Sequence, residues 1–154
     1  MKPDPSSTLS MAQDWLRQFE RALSQPTVAD MDSLFNSDCH WRDVLALNWE
    51  IITHSGSSAV PQALIHAARH HGPHDFKVNQ QRMPAQWVKR TNIDTIEVFF
   101  DFQTKVGPCE GIVRLTLEPG ASEPKAWTLM TTLVEIAGHE ERFKRKAKLS
   151  DGFG

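Results

Sequence analysis

Residues 38–49 read DCHWRDVLALNW, and within them His40, Arg42 and Asp43 stand beside Trp41, Trp49 and a run of aliphatic side chains. Ionisable groups are costly to bury without partners, so the mixture predicts either a polar site against an apolar wall or a network of structural ion pairs. Arg42 keeps its proton and can hold an oxyanion or grip a carboxylate through two parallel hydrogen bonds. A second carboxylate, Glu135, shares one parity of the stretch 125–136 with Trp127, Leu129, Thr131 and Leu133. Bulky apolar neighbours would raise its pKa toward that of a working acid or base, unless it reaches solvent where the strand ends. Arg42 and Glu135 together would meet both needs of a cofactor-free rearrangement, a carboxylate to move the proton and a cation to hold charge developing on oxygen. A structural Arg–Glu salt bridge is the competing assignment.

The remaining candidates are weaker. His40 either lines the mouth of such a site as an acid–base group or hydrogen-bonds within the core. Trp41, Trp49, Phe102, Val113, Leu117, Trp127 and Thr131 form the expected substrate wall, although aromatic residues in a small domain are more often core. His66 and His70 have the i, i+4 spacing of a helical metal pair, but Arg69 intrudes and no HExxH motif is present, so no metal site is expected. The eight glycines form no GxGxxG, which leaves nothing to cradle a nucleotide phosphate, and no cofactor is expected. Tyrosine is absent, which removes a phenolic acid from any mechanism.

Composition narrows the class of partner. A net charge of −2 and a pI near 6.4 give no basic field for nucleic acid. No apolar run approaches the roughly 20 residues of a membrane span, and the first residues lack the apolar core of a signal peptide. Cys39 and Cys109 do not make a disulfide framework, so a reducing, cytoplasmic location is expected.

The chain that must position these residues divides into a helical front and a stranded back. Residues 1–9 read as a disordered N-terminus, 10–141 as a single domain and 142–154 as a basic, solvated tail. Ala12, Trp15, Leu16, Phe19, Ala22 and Leu23 recur at helical spacing, and Pro26 stops that helix. Thr27 and Asp30 resemble a capping box opening a short second helix. Short strands are expected at 40–43 and 49–55. A third helix follows, capped by Ser57 or Ser58, with Val60, Ala63, Leu64, Ala67, Ala68 and His71 on its inner face and Gly72-Pro73 as its stop. Beyond Gly72 the period becomes alternating, predicting strands at 75–82, 93–104, 110–118 and 125–136 joined by Pro and Gly turns. Successive strands without intervening helices imply a curled antiparallel sheet, and thus an α+β fold.

This order of elements, and the stretch LFNSDCHWRD at residues 34–43, resemble the nuclear transport factor 2-like superfamily, which includes ketosteroid isomerases, scytalone dehydratases, limonene-epoxide hydrolases and SnoaL-like polyketide cyclases. More narrowly, DCHWRDVLALNWEI, AWTLMTTLVEI and GHEE (residues 138–141) resemble the N-terminal region of some flavin-dependent monooxygenases and stand-alone fungal SnoaL-like isomerases. The resemblance spans residues 12–141. It implies a cone of curled antiparallel sheet with three helices, open to a small apolar ligand. Asp43 falls where ketosteroid isomerases place their proton-shuttling carboxylate, but Phe19 occupies the position nearest their phenol. Arg42 with Asp43 or Asp101 imitates part of the epoxide hydrolases' aspartate–arginine–aspartate network. Regular strand alternation lets only one of Arg42 and Asp43 face inward. The joint presence of WRD and LVEI in the resembling sequences selects Arg42, with Asp43 as general base should Arg42 point away.

The resemblance therefore implies a cofactor-independent isomerase or cyclase acting on a small, largely apolar, oxygenated intermediate of secondary metabolism. The alternative is a non-catalytic ligand-binding or scaffold domain associated with a flavin monooxygenase. Strands that read as apolar on both faces predict a homodimer packed through the outer face of the sheet.

Overall fold

A computed structural model describes residues 5–25 and 28–134. Helix α1 (Pro5–Ser24) turns Ala12, Trp15, Leu16, Phe19, Ala22 and Leu23 onto one buried face, as the three-and-four spacing predicts. It begins at Pro5, so residues 5–9 are helical where disorder was expected; proline's fixed φ and missing N–H suit a first helical turn. The short helix α2 (Val28–Asp32) follows, while Pro26 and Thr27 lie outside the described residues. Helix α3 (Ala59–His71) accommodates Pro61 in its first turn. It ends where Gly72 adopts φ +56° and donates its N–H to the carbonyl of Ala68. Ser58 precedes α3 without a capping side-chain bond.

Seven strands follow the chain as β1 (Phe35–Val44), β2 (Ile51–Ser55), β3 (His74–Val78), β4 (Gln86–Arg90), β5 (Ile93–Gln103), β6 (Pro108–Thr116) and β7 (Lys125–Leu133). They build one curled sheet in the order β2-β1-β7-β6-β5-β3, with β4 pairing β5 beyond that path. The fold is thus α+β as expected, but the sheet is mixed. β5, β6 and β7 form an antiparallel meander, and β1 runs parallel to β7. The parallel pair arises because β1 is laid down before the meander and fills the edge of β7 that the meander leaves open. Strand β4 was not anticipated. Its hairpin with β5 turns at Thr91 and Asn92, both with positive φ, a geometry usually announced by glycine.

Register assigns the faces. On the inner side, Val98, Val113, Leu129 and Trp41 lie in one row across β5, β6, β7 and β1, and Phe100, Gly111, Thr131 and Asp43 in the next. These rows pack against α1 and α3 to make the core, in which Trp15, Phe19, Trp41, Phe100 and Phe102 are fully buried. The outer side carries the row Phe99, Ile112, Met130, Arg42 and Thr53. Beside it Glu97, though only 4% exposed, is held by Arg90 and Arg114 at 3.0 Å each. Burial pushes the Glu97 carboxyl up, but the two guanidinium groups outweigh it and hold the pKa below the usual value.

Candidate active site

The alternation of β1 decides which candidate faces inward. Trp41 and Asp43 are fully buried on the inner side. Arg42 is exposed on the outer side, where its Nη1 donates a long hydrogen bond of 3.4 Å to Thr53. The expectation that Arg42 lines the interior is therefore corrected: β1 is a regular strand at this point, so an inward Trp41 sends Arg42 outward. His40 lies on the same outer face, its ring nitrogens 2.8 Å from Ser55 Oγ and 3.0 Å from Asp38 Oδ1. Glu135 lies outside the described residues.

Asp43 sits where β1 ends and the chain turns back. Leu45, at φ +64°, reverses the backbone so that the following amides point at the Asp43 carboxylate. The N–H of Leu47 donates to both oxygens at 3.0 and 3.1 Å, the N–H of Asn48 donates at 2.8 Å, and the Asn48 side-chain amide reaches the same group at 3.4 Å. On the neighbouring strand β7, Thr131 Oγ1 accepts from Trp41 Nε1 at 2.9 Å, and the Thr131 hydroxyl donates in turn to Asp43 Oδ1. Burial nonetheless dominates and raises the Asp43 pKa, against the lowering effect of these hydrogen bonds.

Two further groups adjoin this carboxylate. His71, at the last turn of α3, is 6% exposed, and its Nδ1 has no hydrogen-bond partner among the described residues. Burial lowers its pKa, opposed by the nearby charge of Asp43. Cys109 is 2% exposed and its thiol is pushed up to about 12, chiefly by burial. A thiol so disposed stays protonated near neutral pH and is a poor nucleophile.

The structure brings Trp41, Asp43 and Thr131 into one hydrogen-bonded chain and places Phe102 and Val113 in the adjoining core, Phe102 stacked on Phe76 with ring centroids 4.8 Å apart. Trp49 is 68% exposed, on the loop that Asp43 holds. Trp127 falls at the irregular register between β6 and β7, and Leu117 lies beyond the end of β6; neither joins the Asp43 chain. His66 and His70 face each other at 4.7 Å on α3. Among the described residues no group of three His, Cys, Asp or Glu is disposed to hold a metal. Hollows of about 320 and 480 Å³ run along α1, one against 122–125 and the other against Phe76, Lys77 and Val78, and neither is lined by Asp43 or His71.

Sequence reasoning missed Asn48 and His71 as members of the site. The signal for His71 was present: a histidine on the apolar face of α3, at the position the helical period sends inward.

No protein-family model matches the sequence, and no curated protein matches it. Solved structures do. An NTF2-like protein with a cystatin-like fold from Novosphingobium aromaticivorans superposes with a TM-score of 0.56 at 11% identity, over 87% of this chain and 86% of its own. A DUF4783 family protein from Bacteroides uniformis gives 0.54 at 8% identity, over 77% and 96%. A protein described as Rd1NTF2_04 with long sheet gives 0.55 at 10% identity, over 78% and 98%. The fold is NTF2-like. Within this NTF2-like frame the Asp43 chain spans the parallel β1–β7 pair, so the two strands that meet latest in sequence supply the buried polar groups. None of the described helices is long and apolar enough to cross a membrane.

Proposed function

We propose that this NTF2-like protein is a cofactor-independent isomerase or cyclase in which Asp43 moves a proton on a small, largely apolar, oxygenated substrate. The observation that carries the reading is a fully buried carboxylate, with its pKa raised by burial, on the inner face of an otherwise apolar sheet. A base with a raised pKa holds an abstracted proton more firmly and returns it as an acid, which an isomerisation requires. The resemblance of residues 34–43 to the nuclear transport factor 2-like enzymes supports the same assignment. Substrate gains an oxygen of Asp43 most easily by displacing the Asn48 side-chain amide, whose 3.4 Å bond is the longest of the set. Glu135 is the second carboxylate of this proposal.

The test is deuterium exchange into cyclic β,γ-unsaturated ketones in heavy water, followed by NMR. Asp43→Asn keeps the shape and can still accept from Leu47 and Asn48, so it should fold and lose about 10²–10⁴ in exchange rate, the usual worth of a positioned general base. Exchange by the wild-type protein should rise with pH through the raised pKa of Asp43, because only the ionised form abstracts a proton. Equal exchange by both proteins would remove Asp43 from the mechanism. Glu135→Gln reports separately on the second carboxylate.

One observation favours a second reading, a ligand-binding or scaffold domain that partners a flavin monooxygenase. Both Asp43 oxygens already serve the 45–50 loop, which is what a purely structural carboxylate would do. In that case no exchange is catalysed, and Asp43→Asn changes only stability.

For either reading we propose a homodimer through the outer sheet face, where Phe99, Ile112 and Met130 line up and Met130 is 39% exposed. Light scattering should give twice the monomer mass, and Met130→Asp should halve it. A wild-type monomer at micromolar concentration would defeat this.

A further inference from the structure

The outer face of the β1–β2 edge carries a second constellation, on the side of the sheet opposite to Asp43. His40 on β1 pairs directly with Ser55, the last residue of β2. Its Nδ1 lies 2.8 Å from Ser55 Oγ, and its Nε2 lies 3.0 Å from Asp38 Oδ1. A carboxylate only accepts, so Nε2 carries the proton, and in the neutral ring Nδ1 is then the lone pair that faces the Ser55 hydroxyl. Hydroxyl, imidazole and carboxylate thus form a directed chain, in which a base reaches a nucleophile and a third group orients the base. Ser55 is exposed, and the His40 and Asp38 side chains keep 45% and 78% of their surface. So exposed a chain adds little to stability, and a substrate can reach its hydroxyl.

We propose that Ser55, His40 and Asp38 form a second catalytic site, a serine esterase centre that cleaves esters of apolar carboxylic acids. This centre shares no residue with the proton-transfer site.

Ser55 Oγ attacks the ester carbonyl carbon while its proton passes to His40 Nδ1. The bond from that carbon to the leaving oxygen then breaks, the alcohol departs with the proton, and the acyl group stays on Ser55. Water next attacks the acyl carbon and gives a proton to His40. The bond to Ser55 breaks, His40 returns the proton to Oγ, and the carboxylic acid leaves. Asp38 takes no part in bond making and is a positioning residue for the ring. Arg42 stands one register pair along the same face, its Nη1 3.4 Å from Thr53 Oγ1. Its charge can balance the developing oxyanion, more weakly than a buried donor because solvent screens it. Beyond Arg42, Val44 pairs with Ile51, which is 58% exposed. Ile51 and Ser55 face the same way, about 13 Å apart along β2, which gives an acyl chain an apolar surface to lie on.

Hydrolysis of p-nitrophenyl acetate and p-nitrophenyl octanoate by the full chain tests the proposal. The wild-type protein should release a burst of one p-nitrophenolate per chain, and mass spectrometry of its peptides should find the acyl group on Ser55. Octanoate should give the larger kcat/KM, and Ile51→Asp should cancel that advantage. Ser55→Ala, at an exposed position, leaves the core untouched and should abolish the burst. His40→Gln should slow acylation about 10²-fold, the lower end of what a positioned base supplies. Asp38→Asn should lower kcat with KM unchanged, and Asp38→Glu should restore much of it, a split that the loss of a structural contact would not give. Acyl groups on lysines or histidines but not on Ser55, equal hydrolysis by wild type and Ser55→Ala, a preference for acetate, or no hydrolysis above that of free imidazole would overturn the proposal.

Discussion

Replacing Gly111 by alanine is expected to destabilise the protein by about 3 kcal/mol, the upper end of what overpacking a core costs. A β-carbon at this position would lie 2.5 and 2.6 Å from the Cε atoms of Phe100, inside the space its ring occupies. Phe100 cannot retreat, because it is 1% exposed and packs against Phe76 and Phe102 at 6.0 and 5.8 Å. Gly111 also pairs directly with Thr131, so strain there is passed to the donor that serves Asp43. Urea denaturation with far-ultraviolet circular dichroism measures the loss. Adding Phe100→Leu should return part of it, and a double mutant no better than the single would show that the clash is not with this ring.

Thr131→Val should cost about 2–4 kcal/mol, because it strands the buried Trp41 N–H and removes the hydroxyl that donates to Asp43. The size of the loss depends on pH. The Asp43 pKa is raised in the folded protein, so the folded state holds its proton more firmly than the unfolded chain. That preference stabilises the fold at acid pH and is lost as pH climbs from the ordinary aspartate value through the raised one. Thr131 is one of the groups that lower this pKa, so deleting it raises the value further. The gap between wild type and Thr131→Val should therefore be smallest at acid pH and widen toward neutrality, as thermal melts across that range would reveal. A gap independent of pH would mean that Thr131 contributes packing alone.

Much of the frame was legible in the sequence because period alone specifies it. The faces of α1 and α3, the glycine stop at Gly72 and the strands β5, β6 and β7 follow from spacing and turn chemistry, whereas β1 runs over Phe35–Val44 where only 40–43 was expected, and β3 stops at Val78. The central place of β7 was also legible, since both its faces are rich in apolar residues. Pairing direction was not, because alternation is the same in parallel and antiparallel strands, and the β1–β7 pair joins residues some ninety positions apart. In the candidate site, Trp41, Asp43 and Thr131 were singled out by type. The choice between Arg42 and Asp43 needed the phase of β1, which adjacent residues of opposite preference leave undetermined. Asn48 was invisible for a different reason: its backbone N–H does the work, and any residue supplies one.

The parallel pairing of β1 with β7 also orders events in time. A hairpin can close as soon as its two strands exist, but β1 must wait, unpaired along one edge, for the last strand of the sheet to be made. Closing so long a loop comes late, and until then the apolar side of β1, with Cys39 and Trp41, has no partner strand on that edge. A nascent chain released before residue 131 would expose this surface to chaperones, and it would hold Asp43 without Thr131. The hydrogen-bonded chain of Trp41, Thr131 and Asp43 therefore forms in one step with the completed sheet.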